Sequence, residues 1–562
     1  MKKLYVLLTV AFGVLMLLSC GRKDEKMPDK KTDIPQIEQN ENKEESTVNI
    51  PESEPAAEEE PAEAVKTEDK LISAMITPEA DYVAESINDT WYILSEYSCE
   101  HINLNKEDEE RYPALKASVD SYNEYISNQS KKYMDEYAEL AREQIMDTEE
   151  DPFGRSVYSS TACITRADES AFSFTVDYYA YAGGAHPNTW MECFNFNPQT
   201  GEEIDISYYV KDMKKAADII TEKLFERFAV IFDGYSKQDL LQMVNDLFEL
   251  SPVYDDDGKP TGEMKYGFEW SVGYQGIDFY FNTYTLSYYA AGMQQVSILI
   301  GEEDGVLYDE RLNPPANYVT QPAGMFPQYD INHDCISDDF DLYSDMEYVE
   351  ERDVYLKKKL YMTLGDKEYT DENFYSDGDV RYYIAHLSDG SEFLLVPVKD
   401  MWTEKVNIYD IKDDIKFIGS EDGSITNGTI TDPLNIRLEK MCEIAGTFFG
   451  IKNYRLTDKG ELVSDDEEFD ISTVLTMKPS EDIKLPVVDK KENVITEDDF
   501  LIKKDTELVP VATDGKTYLD LFDNADDVTV RLEIEIGEEP REQYLKNGQK
   551  LDEVFDEIFW AN

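Results

Sequence analysis

Nothing before about residue 71 can add to a folded core, and this bounds the rest of the reading. Lys2 and Lys3 open the chain, and Leu4 to Leu18 follow as a largely apolar run without a charge. That run is too short for a comfortable membrane span and ends at a small residue, so residues 1–19 read as a cleaved export signal. Residues 20–70 are rich in Glu, Lys, Pro, Gln and Asn and nearly free of aromatics. No apolar face recurs there, so chain entropy goes unopposed and a disordered acidic tether is expected. At about 50 residues it would span roughly 40 Å as a random coil.

The remainder has the material for real cores: 41% of the 562 residues are hydrophobic, with 38 Tyr and 25 Phe. The length fits about three or four domains. A formal charge of −67 excludes nucleic acid as a partner, because binding it needs basic surface to displace counterions. The same charge opposes adsorption onto anionic lipid and favours encounter with cationic partners, besides keeping an exported protein soluble. Cys20 aside, Cys99, Cys163, Cys193, Cys335 and Cys442 are an odd set without CxxC spacing. Free thiols are expected rather than a disulfide framework.

Residues 71–307 read as an α+β domain, an antiparallel sheet packed by long helices. Leu115, Val119, Tyr122, Ile126, Tyr133, Tyr137 and Leu140 recur mostly at three- and four-residue steps behind Pro113, predicting a long helix. Strands are predicted around 71–76, 91–101, 157–166, 171–181 and 190–197. Met213 to Ile231 forms a second helix, and Ser236 caps a third. Ile277–Phe281 and Val296–Ile300 close the domain. From residue 313 short apolar runs alternate with Asp/Gly turns, which indicates all-β modules, a sandwich or small barrel. Residues 313–493 are expected as one β-rich domain and 494–562 as a small barrel-like module with a short closing helix through Leu551, Val554, Phe555 and Phe559. Pro397, directly after Phe393-Leu394-Leu395-Val396, marks an edge strand or a strand end.

Two resemblances add to this. Leu17-Leu18-Ser19-Cys20 resembles the bacterial lipobox, which implies cleavage before Cys20 and a lipid on its sulfur. The chain would then be held on the extracytoplasmic face of a cell membrane. Tyr179-Ala180-Tyr181-Ala182-Gly183-Gly184-Ala185-His186-Pro187, followed by Phe281-Asn282-Thr283-Tyr284 and Tyr288-Tyr289-Ala290-Ala291-Gly292, resembles the extracellular domain shared by RsiV-type anti-sigma factors and the N-terminal part of PdaC-type polysaccharide deacetylases. The similarity covers about residues 71–307; Ser287 stands where proline is expected. In RsiV-type proteins this domain is a receptor surface for lysozyme, so the resemblance implies a binding or sensing role toward a cationic protein such as lysozyme, or toward peptidoglycan. It does not carry over the deacetylase site: His101, His186, His333 and His386 are far apart in sequence and form no HxxxH pair.

The site residues expected are Tyr181, Gly183, Gly184, His186, Asn188, Trp190, Tyr284 and Tyr288, with Cys20 for lipid. Two readings of the first segment stand side by side. Either Gly183 and Gly184 serve a structural hairpin whose His186 is simply hydrogen-bonded, or His186, Tyr181, Asn188 and Trp190 present a surface with aromatic anchors. Tyr284, Tyr288 and Gly292 read as a tight crossover with core tyrosines. Asp330, Asn332, Asp334 and Asp341 have calcium-loop spacing, but Cys335 stands where that loop needs glycine. No GxSxG elbow, P-loop or Rossmann glycine pattern appears. No catalytic residue, metal or cofactor is therefore assigned. The alternatives kept open are a cell-wall hydrolase or esterase and an envelope scaffold.

Overall fold

The computed structural model describes residues 71–562 apart from 88, 149–155, 255–258, 322, 325–326, 339, 350–353, 366, 377–380, 401–402, 474, 490–493, 557 and 561–562. The leader, Cys20 and the acidic stretch lie outside the described residues, as do the Asp255–Gly258 turn, Asp366 and the Asp377-Gly378 pair.

Strands β1 (Ala74–Ile87), β2 (Thr90–Leu104), β3 (Ser156–Ala167), β4 (Phe172–Tyr181) and β5 (Asn188–Phe196) form one sheet in sequence order. Helices α1 (Lys106–Arg111) and α2 (Pro113–Thr148) lie between β2 and β3. The 36-residue α2 carries the chain back along the sheet, so β2 and β3 pair in parallel while the other neighbours are antiparallel. Its first half buries Leu115, Val119, Tyr122 and Ile126 against Tyr158, Phe172, Phe174 and Val176. Beyond Ile126 the buried line passes through Ser130, Met134, Ala138, Ala141 and Ile145, and the expected Leu140 is exposed. Small and polar residues on that line hide it from a hydrophobicity reading.

A second core follows. Helices α3 (Met213–Arg227) and α4 (Lys237–Leu247) cover a sheet of β8 (Glu269–Val272), β9 (Gly276–Phe281) and β10 (Gln294–Leu299), after a ribbon of β6 (Ser251–Tyr254) and β7 (Pro260–Lys265). Ser236 caps α4 through a reciprocal bond pair with Asp239. Ile220, Leu224, Leu240 and Val244 share a core with Ile277, Phe279, Val296 and Ile298. Asn195 on β5 joins the two sheets, donating to Trp270 O (2.9 Å) and accepting from Val272 N (3.1 Å).

The rest is β-structure. Strands β11 (Tyr318–Thr320), β15 (Tyr383–His386), β16 (Glu392–Asp400), β17 (Thr403–Asp410) and β18 (Lys416–Asp422) form a sheet in that order. Strands β12 (Phe340–Val349), β13 (Val354–Leu364) and β14 (Lys367–Ser376) form another. The first sheet is buried on both faces: Ala385, Leu395 and Ile408 enter one core, and Ile384, Leu394 and Val396 a second. That explains why Phe393 to Val396 is unbroken apolar sequence. Pro397 lies within β16, opposite Val406 of β17. On the other side β15 begins opposite Leu395, so among the described residues no partner strand pairs with Pro397 on that side.

An 11-stranded sheet then runs from Ser424 to Leu545, and residues on both sides of position 493 contribute to it. The closing helix spans Leu551–Val554, and Phe559 lies beyond it, exposed. The class is α+β followed by all-β modules. No helix among the described residues is long and apolar enough to cross a membrane.

Candidate functional site

The two distinctive segments meet. The first is the loop between β4 and β5, where Gly183 (φ 90°) and Gly184 (φ 110°) adopt backbone that a side chain would strain. Space is not the constraint at Gly184, since a Cβ there would meet nothing within 4 Å. Tyr181 Oη donates to Gly184 O (3.3 Å) across the loop. The second segment follows β9. Asn282 accepts from Met191 N (2.8 Å) and donates to Met191 O (2.9 Å), imitating a backbone pair alongside β5. Thr283 Oγ1 lies 3.3 Å from Thr189 O. Tyr289 Oη donates to Pro187 O (2.6 Å), and the His186 ring stacks on Tyr289 with centroids 3.7 Å apart.

These contacts create an aromatic surface. Tyr284 is 62% exposed and Tyr288 61% exposed, so neither is the core tyrosine that the sequence led us to expect. A crossover of this kind needs its turn geometry, and here Asn282, Leu286 and Tyr289 supply the anchoring instead. Tyr284 lies 5.7 Å from Tyr289 between ring centroids, at a left-handed backbone angle of φ 71°. His186 is exposed, with Nδ1 3.0 Å from Pro187 O. Partial burial and the neighbouring Tyr284 and Tyr179 push the Tyr289 phenol up.

Not every expected residue joins this surface. Strand alternation puts Asn188 and Trp190 opposite Ala180 and Tyr178, on the helix-facing side of the sheet. Trp190 stacks flat on Tyr178 (4.8 Å, 5°) and is packing, not an anchor. Thr189 pairs with the exposed Tyr179 on the opposite face. Tyr179 and Tyr289 are therefore the residues that sequence reasoning left out, and strand parity beside Tyr181 was the signal available for Tyr179.

Among the described residues, Cys99, Cys163, Cys193, Cys335 and Cys442 form no disulfide. β4 separates Cys163 on β3 from Cys193 on β5, and burial pushes both thiols up. Among the described residues, two groups could hold a metal ion by composition and proximity: Glu79–Cys99–His101 and His333–His386–Glu392. The first already has a cation, with Lys131 Nζ 3.0 Å from Glu79. The second draws together two histidines that sequence spacing had set far apart.

Residues 31–189 match the family model described as Deacetylase PdaC, so the chain carries a PdaC-type domain, as the first motif indicated. A solved structure from Bacteroides fragilis, a member of the DUF3298 family, is similar at 15% identity over 42% of this chain and 94% of its own, with a TM-score of 0.30. A DUF3298 family protein from Pseudomonas aeruginosa PAO1 is similar at 10% identity over 44% of this chain and 99% of its own, with a TM-score of 0.27. No curated protein matches the chain.

Proposed function

We propose that this chain is an extracellular, envelope-associated protein that captures its ligand through the tyrosine surface, the ligand being a cationic protein such as a lysozyme. The PdaC-type domain supports the envelope assignment. Membrane attachment rests on the leader and on a lipidated Cys20, which mass spectrometry of the mature protein tests directly. One observation carries the binding reading: Tyr284 holds a left-handed backbone angle while its ring stays mostly in solvent. A bulky residue there costs about 1–2 kcal/mol, and its ring contact with Tyr289 offsets little of it. Exposed tyrosines beside His186 suit a protein interface, and the charge of −67 favours a basic partner.

A pull-down with lysozyme at low and high salt tests this. Salt-sensitive capture without turnover supports the reading. Capture of purified peptidoglycan in place of lysozyme would move the ligand to the wall, and release of sugar or acetate from it would favour an enzyme.

A further inference from the structure

We propose that His333, His386 and Glu392 form a binding site for a divalent transition-metal ion of the zinc type, in the β-rich region beyond the PdaC-type domain. His386 ends β15 and Glu392 begins β16, directly opposite each other across the hairpin. The turn between them is closed by Leu387 N donating to Ser391 O (3.0 Å) and Gly390 N to Leu387 O (2.8 Å). Both side chains are almost fully buried, His386 at 3% exposure and Glu392 at 1%. Among the described residues, the ion-pair partners of this buried carboxylate are two histidines, with no lysine or arginine.

The contact between His386 and Glu392 is not a satisfied hydrogen bond. Nδ1 and Oε2 lie 2.5 Å apart, yet neither buried atom has a hydrogen-bond partner in acceptable geometry. His386 Nε2 faces Thr320 Oγ1 at 3.2 Å. With the ring proton on Nε2, Nδ1 turns its lone pair toward the carboxylate. Two acceptor lone pairs so close and buried away from water are mutually repulsive, and a bound cation between them would satisfy both. A partner on the far ring nitrogen is also how ligating histidines are oriented. Tyr318 stacks on the same ring at 4.1 Å and limits its rotation.

His333 completes the set from the solvent side. Its Nε2 lies 2.7 Å from Glu392 Oε1, and ligand atoms of all three residues fall within 4.8 Å of one another. The loop presents it at φ 59°, held by Asp330, whose carboxylate accepts from Asp334 N (3.0 Å) and Cys335 N (2.9 Å). Two imidazoles and one carboxylate make the His₂Glu set that zinc takes with a fourth position left to water. Imidazole ligands favour zinc-like ions over calcium or magnesium. Because His333 is half in solvent, the ion would exchange, and its binding would pin the Asp330–Asp338 loop to the hairpin.

The test uses the full chain, stripped with a chelator and titrated calorimetrically with Zn²⁺ in excess Mg²⁺, which occupies surface carboxylates. One equivalent should bind, Co²⁺ should report nitrogen and oxygen ligation in its visible spectrum, and His333→Ala should weaken binding at least about tenfold. His333 is exposed, so that variant should keep the fold, checked by circular dichroism; Glu392→Gln is the second variant. His101→Ala should bind as the parent does. Absence of saturable one-to-one binding overturns the proposal, as does equal affinity in His333→Ala. Loss of binding in His101→Ala would place the ion at the other cluster and overturn it too.

Discussion

His186 lies flat on Tyr289, ring centroids 3.7 Å apart, and this stack joins two loops far apart in sequence. The Tyr289 hydroxyl adds a bond to Pro187 O at 2.6 Å. Tyr289→Phe keeps the stack and loses one hydrogen bond, so a cost of about 1 kcal/mol is expected. Tyr289→Ala removes both and should free the 182–187 loop. Hydrogen exchange across that loop separates the variants, since only the alanine form should lose protection there.

Tyr284 gives the sharpest separation of stability from binding. Tyr284→Gly removes a side chain from φ 71° and little packing. Stability should hold or rise by about 1 kcal/mol in urea unfolding. Capture of lysozyme should nonetheless fall at least about tenfold, a hot-spot loss of roughly 1.4 kcal/mol or more. Unchanged capture would sink the tyrosine surface as the ligand site.

Much of the N-terminal fold was legible, because its signals are local. The apolar steps from Leu115 to Ile126, the alternation Phe172, Phe174, Val176, Tyr178 and the Ser236 cap each reflect one element's own chemistry. What could not be read depended on neighbours. Trp190 looked like an anchor, but its face is set by the register of β5 on β4. Tyr284 and Tyr288 looked like core residues because nothing in the chain tells which side of a crossover meets solvent. The pairing of His386 with Glu392 had a signal, an Asp389-Gly390 turn between them, since such turns place flanking residues across a hairpin. His333 had none: it arrives through a loop from outside that hairpin.

Trp190→Ala should therefore behave as a packing lesion. Its ring stacks on Tyr178 and lies near Tyr133 and Tyr158. Half-buried truncation of this kind should cost about 2–3 kcal/mol. Capture by the folded fraction should match the parent, measured below the unfolding temperature of both.

Glu79 and Glu269 should shape the pH dependence of stability in opposite directions. Glu79 on β1 accepts from Tyr97 Oη (2.6 Å) and Ser127 Oγ (2.8 Å) and meets Lys131 Nζ at 3.0 Å. Those bonds hold its carboxyl down at about 2, against an ordinary value of 4.5. With the folded value below the unfolded one, its contribution is present above about pH 4.5 and lost as pH falls toward 2. Burial pushes Glu269 the other way, to about 7. The folded state then holds that proton more tightly, so stability is lost as pH rises from about 4.5 to 7. Glu79→Gln should cost roughly 2 kcal/mol at neutral pH and flatten the acid limb of a Tm-against-pH curve. Glu269→Gln should shrink, not abolish, the limb between pH 4.5 and 7, because burial also raises Asp177 and Asp278 to about 6, and it should leave the acid limb in place. A parent curve with no rise in Tm on acidifying from pH 7 to 4.5, and no change on replacing Glu269, would contradict the buried placement of that carboxylate beside Cys193 N.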